Sequence, residues 1–175
     1  MMSIIYIFWM YVILFAVIGA MRGWAKELLV AFSVITALAV NLLLEKYIPL
    51  VRDLDKAGSS VFWIRSIILL ALVYFGYQTV AIARFASKAA RERLQDSLFG
   101  AVLGGINGYF VAGTVLFYNH VANYPYRDII SPATDPVMVQ AIELMMKYMP
   151  PRLLGEPGIY FAVILVLIFI IVVYI

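Results

Sequence analysis

The chain of 175 residues has no cysteine and a single histidine, His120. Without cysteine there is no disulfide framework, no thiolate metal site and no thiol nucleophile, and one histidine cannot build a multi-histidine metal centre. Charge is scarce too. Only 13% of residues are charged while 65% are hydrophobic, far from the roughly one quarter charged that is typical of soluble domains. With a mean hydropathy of +0.99, that balance excludes an ordinary soluble domain and gives no footing for nucleic-acid binding. No phosphate-binding loop, GxSxG elbow, HExxH pair or dinucleotide fingerprint occurs, so neither catalysis nor a cofactor is expected.

What the chain does have is long apolar runs. Charge-free stretches cover Met1 to Met21, Leu28 to Leu44, Ser66 to Ala83, Ser97 to Asn119 and Pro157 to Ile175, each close to the roughly 20 residues a bilayer core requires. They are continuously apolar rather than alternating, which excludes a β-barrel. The expected fold is all-α, a polytopic membrane helical bundle of four transmembrane helices and a fifth, C-terminal one. The corresponding units are a four-helix membrane domain over 1–120, an external loop over 121–156 and the extra helix over 157–175. No lysine or arginine precedes the first run, so it reads as a retained helix rather than a signal peptide. No aspartate or glutamate lies well inside a run, so the carboxylate relay of a proton-driven transporter is not expected. Asn41, Gln78, Asn107 and Asn119 read as hydrogen-bonding groups between helices.

Lysine and arginine set the orientation. Arg22, Lys26, Arg84, Lys88, Arg91 and Arg93 crowd two short segments on one side. Lys46, Arg52, Lys56, Arg65, Arg127, Lys147 and Arg152 are spread over longer segments on the other, where acidic residues balance them. The dense basic segments belong in the cytoplasm, which puts the N-terminus outside.

Two segments outside the runs are expected to lie at the membrane interface. Val137, Met138, Ala141, Leu144, Met145 and Tyr148 share one helical face, with Gln140, Glu143 and Lys147 opposite. Asp135 can cap this helix with Pro136 at its first position, and Pro150-Pro151 ends it. Resting on the outer leaflet and covering the bundle as an ordinary packing helix are both open to it. Arg84 to Gln95 reads as a basic continuation of the third span, where Lys88 and Glu92 are four residues apart.

Glycine marks the most specific feature. Gly100, Gly104 and Gly108 follow Asp96 at four-residue spacing, which places them on one stripe where another helix backbone can approach closely. Between the first two runs, Gly19-Ala20-Met21-Arg22-Gly23-Trp24-Ala25-Lys26-Glu27 is too short for a loose loop and demands a tight hairpin. Arg22, Glu27 and Asp96 would then meet at the cytoplasmic boundary. Two arrangements are open: a charge cluster joining the hairpin to the fourth span, or Arg22 reaching lipid phosphate while Asp96 caps its own helix.

The pair of stretches, Gly19-x-x-Arg22-Gly23-x-x-x-Glu27 and then Asp96-x-x-Phe99-Gly100-x-x-x-Gly104-x-x-x-Gly108, resembles the two signatures of the colicin V production (CvpA) family over roughly residues 5–120. The resemblance implies a small bacterial inner-membrane protein tied to colicin V production and envelope homeostasis, with no established biochemical activity. Relatives generally finish after the amphipathic region. The apolar run from Gly158 departs from that pattern and is expected to pack on another element or another protein.

Three function classes follow. The leading one is a non-catalytic scaffold or accessory protein whose partners are the lipid bilayer and other membrane subunits, or a second copy of itself. A second is a small channel component lined by Arg65, Gln78 and Asn107. The third is a structural subunit of an energy-transducing complex, in which His120 could ligate a pigment or metal.

Overall fold

The computed structural model describes residues 4–78 and 90–174. Those residues form eight helices: α1 (Ile4–Arg22), α2 (Trp24–Tyr47), α3 (Pro49–Arg52), α4 (Ser59–Tyr77), α5 (Ala90–Val121), α6 (Pro136–Lys147), α7 (Pro150–Leu153) and α8 (Gly158–Tyr174). Four of them, α1, α2, α4 and α5, are long and apolar enough to cross a membrane. The chain is therefore an all-α polytopic bundle. The apolar α8 is shorter, at 17 residues. Residues 79–89, which include Arg84 and Lys88 of the expected basic continuation, lie outside the described residues.

Charge marks the span ends poorly. The second span begins at Trp24 rather than Leu28 and runs to Tyr47, so Glu27 and Glu45 fall inside α2. Glu27, in the first turn of α2, is completely buried. Likewise α4 starts at Ser59 rather than Ser66, carries Arg65 within it and gives way at its C-cap, Gln78. The physical reason is the same in both places: each charge has a partner on another helix, so helix formation need not stop for it.

Helix α5 is central. At 32 residues it would extend about 48 Å at 1.5 Å per residue, well beyond a hydrocarbon core of about 30 Å. Its first turns, with Glu92, Arg93 and Asp96, can therefore stand outside the core. Helix α1 packs far more on α5 than on α2, although one residue separates it from α2. Helices α4 and α8 lie against α2. A fully buried layer of Val30, Val34, Ala37 and Leu69, with Val73 and Val111, closes the space between α2, α4 and α5.

At the end where α1 starts and α5 stops, α6 covers the bundle. Asp135 accepts a hydrogen bond from the Met138 amide at 3.4 Å and Pro136 opens the helix. Ile142 and Met146, followed by Met149, pack with Ile4, Phe8 and Leu116, and Met138 and Met145 of the expected face pack partly against the same cluster. Val137, Leu144 and Tyr148 are exposed instead. Both faces are apolar at helical spacing, and the sequence pattern alone does not say which one meets the bundle.

Candidate functional site: the hairpin turn against helix α5

The stripe on α5 meets α1 inside the same chain. A methyl group built on Gly19 would meet the Gly100 carbonyl oxygen and stand 2.8 Å from Gly104 Cα. One on Gly100 would meet the Gly19 carbonyl oxygen and lie 3.0 Å from Gly23 Cα. On Gly108 it would stand 2.8 Å from Phe15 Cβ. The two antiparallel backbones touch from Val12 to Gly23, a closeness only glycine permits. Ser97 extends the seam by donating through Oγ to the Ala20 carbonyl at 2.9 Å.

The hairpin turn closes on Gly23, whose φ of 85° is in the left-handed region that favours glycine. Gly23 has no side chain to cap α2. Asp96 supplies the acceptor from α5, its Oδ1 lying 3.3 Å from the Trp24 amide nitrogen that donates to it. A carboxylate at a helix N-terminus is favoured by the exposed amides and by the helix dipole. Asp96 therefore caps α2 and not its own helix, because α5 has already begun at Ala90.

Behind the turn lies a buried ion pair. Arg22 Nη1 is 2.7 Å from Glu27 Oε1, and the Glu27 side chain has no exposed surface. Asn107 Nδ2 donates to both Glu27 Oε2 and the Glu27 carbonyl, each at 2.9 Å. Arg22 Nη2 donates to the Tyr77 carbonyl at 3.1 Å, and the guanidinium sits 4.3 Å from the Tyr77 ring centroid. One carboxylate and one guanidinium thus bind α1, α2, α4 and α5 together. Such a pair survives burial only with further hydrogen bonds of this kind.

Of the residues singled out in the sequence, Gly19, Arg22, Gly23, Glu27, Asp96, Gly100, Gly104 and Gly108 come together here. Asn107 joins them by holding the carboxylate. His120 is remote, at the far end of α5, with Nδ1 3.0 Å from the Tyr124 hydroxyl. Among the described residues no group of three His, Cys, Asp or Glu side chains could hold a metal ion.

A second polar cluster, unforeseen in the sequence, occupies the opposite end. Arg65 Nε and Nη2 donate to the two oxygens of Glu45 at 2.6 and 2.8 Å. Asn41 Nδ2 donates to the Arg65 carbonyl at 3.1 Å and to the Tyr118 hydroxyl at 3.4 Å. The available signal was Asn41 and Glu45 one turn apart on α2. Their partner Arg65 read as a loop charge.

A family model described as Colicin V production protein matches residues 5–133. That range holds both polar clusters and the glycine seam, and it ends before α6. No curated protein and no solved structure matches the chain.

Proposed function

Since the chain belongs to the colicin V production protein family, we propose that it is a non-catalytic scaffold of the bacterial inner membrane, with its N-terminus outside. It acts through its outer faces, on neighbouring membrane subunits or on a second copy. What supports this reading is the apolar packing across the middle of the bundle. The buried layer of Val30, Val34, Ala37 and Leu69 separates the two polar clusters, and the glycine seam is spent on α1 and α5 of one chain. What remains for contacts is the outside, where Trp9, Ile13 and Val17 of α1 and Phe161, Leu165 and Ile168 of α8 are exposed.

A passage lined by Arg65, Gln78 and Asn107 has little support. Arg65 is engaged by Glu45 and Asn107 by Glu27, with the apolar layer of Val30, Val34, Ala37 and Leu69 between the two clusters.

Purification in mild detergent after cross-linking in intact membranes tests the proposal. It predicts defined covalent adducts to other membrane proteins or to a second copy, lost when Ile13 and Val17, or Leu165 and Ile168, become alanine. A chain recovered alone, without adducts, contradicts it.

A further inference from the structure

Helices α5 and α8 both pack on α2 rather than on each other, and between them runs a groove of about 630 Å³ near the α1–α2 turn. Trp24 and Leu28 of α2 line its floor, Phe99, Val102 and Leu103 of α5 one wall, and Phe169 of α8 the other. Phe99, Val102 and Phe169 are exposed, so the groove opens sideways, toward lipid in a chain that spans the membrane. Phe169 lies beyond the family match over residues 5–133, so a helix outside that match completes the groove.

One end of the groove is polar. Among the described residues, the charged groups that line it are both acidic, Glu92 and Asp96, and they stand with Gln95 at that end. Asp96 is engaged as the cap of α2. Glu92, one turn earlier, is exposed, and Arg93 beside it in the chain does not line the groove. An apolar slot that ends in carboxylates complements an amphiphile whose head carries a cation and disfavours one whose head is a net anion.

Depth separates a lipid from a partner helix. The lining follows α5 from Glu92 to Leu103, about 16 Å at 1.5 Å per residue, or about half of a hydrocarbon core of about 30 Å. A helix that crosses the membrane needs a complementary face through both leaflets. A lipid needs one only through its own.

We propose that this groove holds a phospholipid with an ammonium headgroup, of the phosphatidylethanolamine type. One acyl chain lies along Leu28, Phe99, Val102 and Phe169, and the ammonium stands beside Glu92. The site holds whether or not the chain acts as a scaffold.

Native mass spectrometry of the full chain, freed of lipid in mild detergent and offered phosphatidylethanolamine and phosphatidylglycerol in equal amounts, tests the proposal. Phosphatidylethanolamine should be retained about fivefold over phosphatidylglycerol, the ratio that one charge contact near a membrane surface confers. Glu92→Lys should reverse the preference, and Val102→Trp, which fills the groove, should lower retention of both lipids. Both residues are exposed, so these substitutions leave the core untouched. In vesicles of the same two lipids, a photoreactive side chain at Val102 should give adducts richer in phosphatidylethanolamine than one at exposed Ile13 of α1. Retention without preference, a preference unchanged in Glu92→Lys, full retention in Val102→Trp, or equal adducts at the two positions overturns the proposal. So does capture of a protein helix at Val102 in native membranes in place of lipid.

Discussion

Gly19 and Gly100 each occupy the place where the other's side chain would stand, since a methyl on either would meet the other's carbonyl oxygen. This mutual exclusion holds α1 on α5 and brings Asp96 to the α1–α2 turn. Backbone obstructs both positions, so neither can be relieved by a rotamer change. Gly105 is one residue off the seam, and its methyl would make an ordinary contact of 3.7 Å with Ala16 Cβ.

Alanine scanning along α5 should therefore be sharply uneven. Gly100→Ala and Gly104→Ala are expected to destabilise by at least the roughly 1–3 kcal/mol typical of overpacking. Gly105→Ala should match the parent. Thermal unfolding in detergent reads the difference, and equal loss at all three positions would contradict it.

Arg22 and Glu27 behave as a unit. Removing one member, as in Arg22→Met or Glu27→Leu, strips the other's buried charge of this counter-ion and should cost about 3–5 kcal/mol. The double variant should recover a substantial part of that loss, because a hydrophobic replacement of a whole buried pair is often neutral. A double-mutant cycle measures the coupling. Simple additivity would mean that the two groups do not act together.

Glu156 ties α8 to α2. It accepts hydrogen bonds from Tyr160 at 2.5 Å and from Lys46 at 2.9 and 3.1 Å. The Tyr160 hydroxyl and then Lys46 hold its carboxyl below the ordinary value of 4.5. A carboxyl lowered in the folded state adds stability above its unfolded value and loses it as pH falls through the folded one. The tie is exposed and its contribution small. Hydrogen exchange along α8 should rise on acidification below the ordinary carboxylate range, and Glu156→Gln should remove that pH dependence.

Helix α6 presents two apolar faces with different duties. Ile142→Asp places a charge among Phe8, Leu116 and Met146 and should unfold this end of the bundle, a loss of several kcal/mol. Leu144→Asp, on the exposed face, should leave the fold intact and weaken only contact with the bilayer surface. Thermal stability in detergent separates them. Equal destabilisation would place Leu144 in the core.

The four long helices, the tight turn at Gly23 and the Asp135 cap are legible because each depends on local composition or spacing. Close packing at Gly100, Gly104 and Gly108 is legible as a kind of contact but not as a partner, since a stripe carries no address. Arg65 reads as a loop charge because a cation ordinarily ends an apolar run; its partner Glu45 is twenty residues away and only the fold brings them together. Asp96 reads naturally as a cap for the helix it precedes. Helix α5 begins upstream, at Ala90, which frees Asp96 to serve α2. On α6, Ile142 and Met146 compete with Val137, Ala141 and Leu144 at the same spacing, so tertiary packing decides.

The central claim is that the glycine seam closes within a single chain, leaving outer faces for partners. The absence of native cysteine allows a direct measurement. Gly105's built Cβ lies 3.7 Å from Ala16 Cβ, within the roughly 3.5–4.5 Å range of disulfide-linked pairs. Oxidation of the Ala16→Cys, Gly105→Cys double variant in native membranes should give a monomer with an internal disulfide, seen as a reduction-sensitive link between α1 and α5 peptides. A disulfide formed only between two chains, or none at all, would contradict the account.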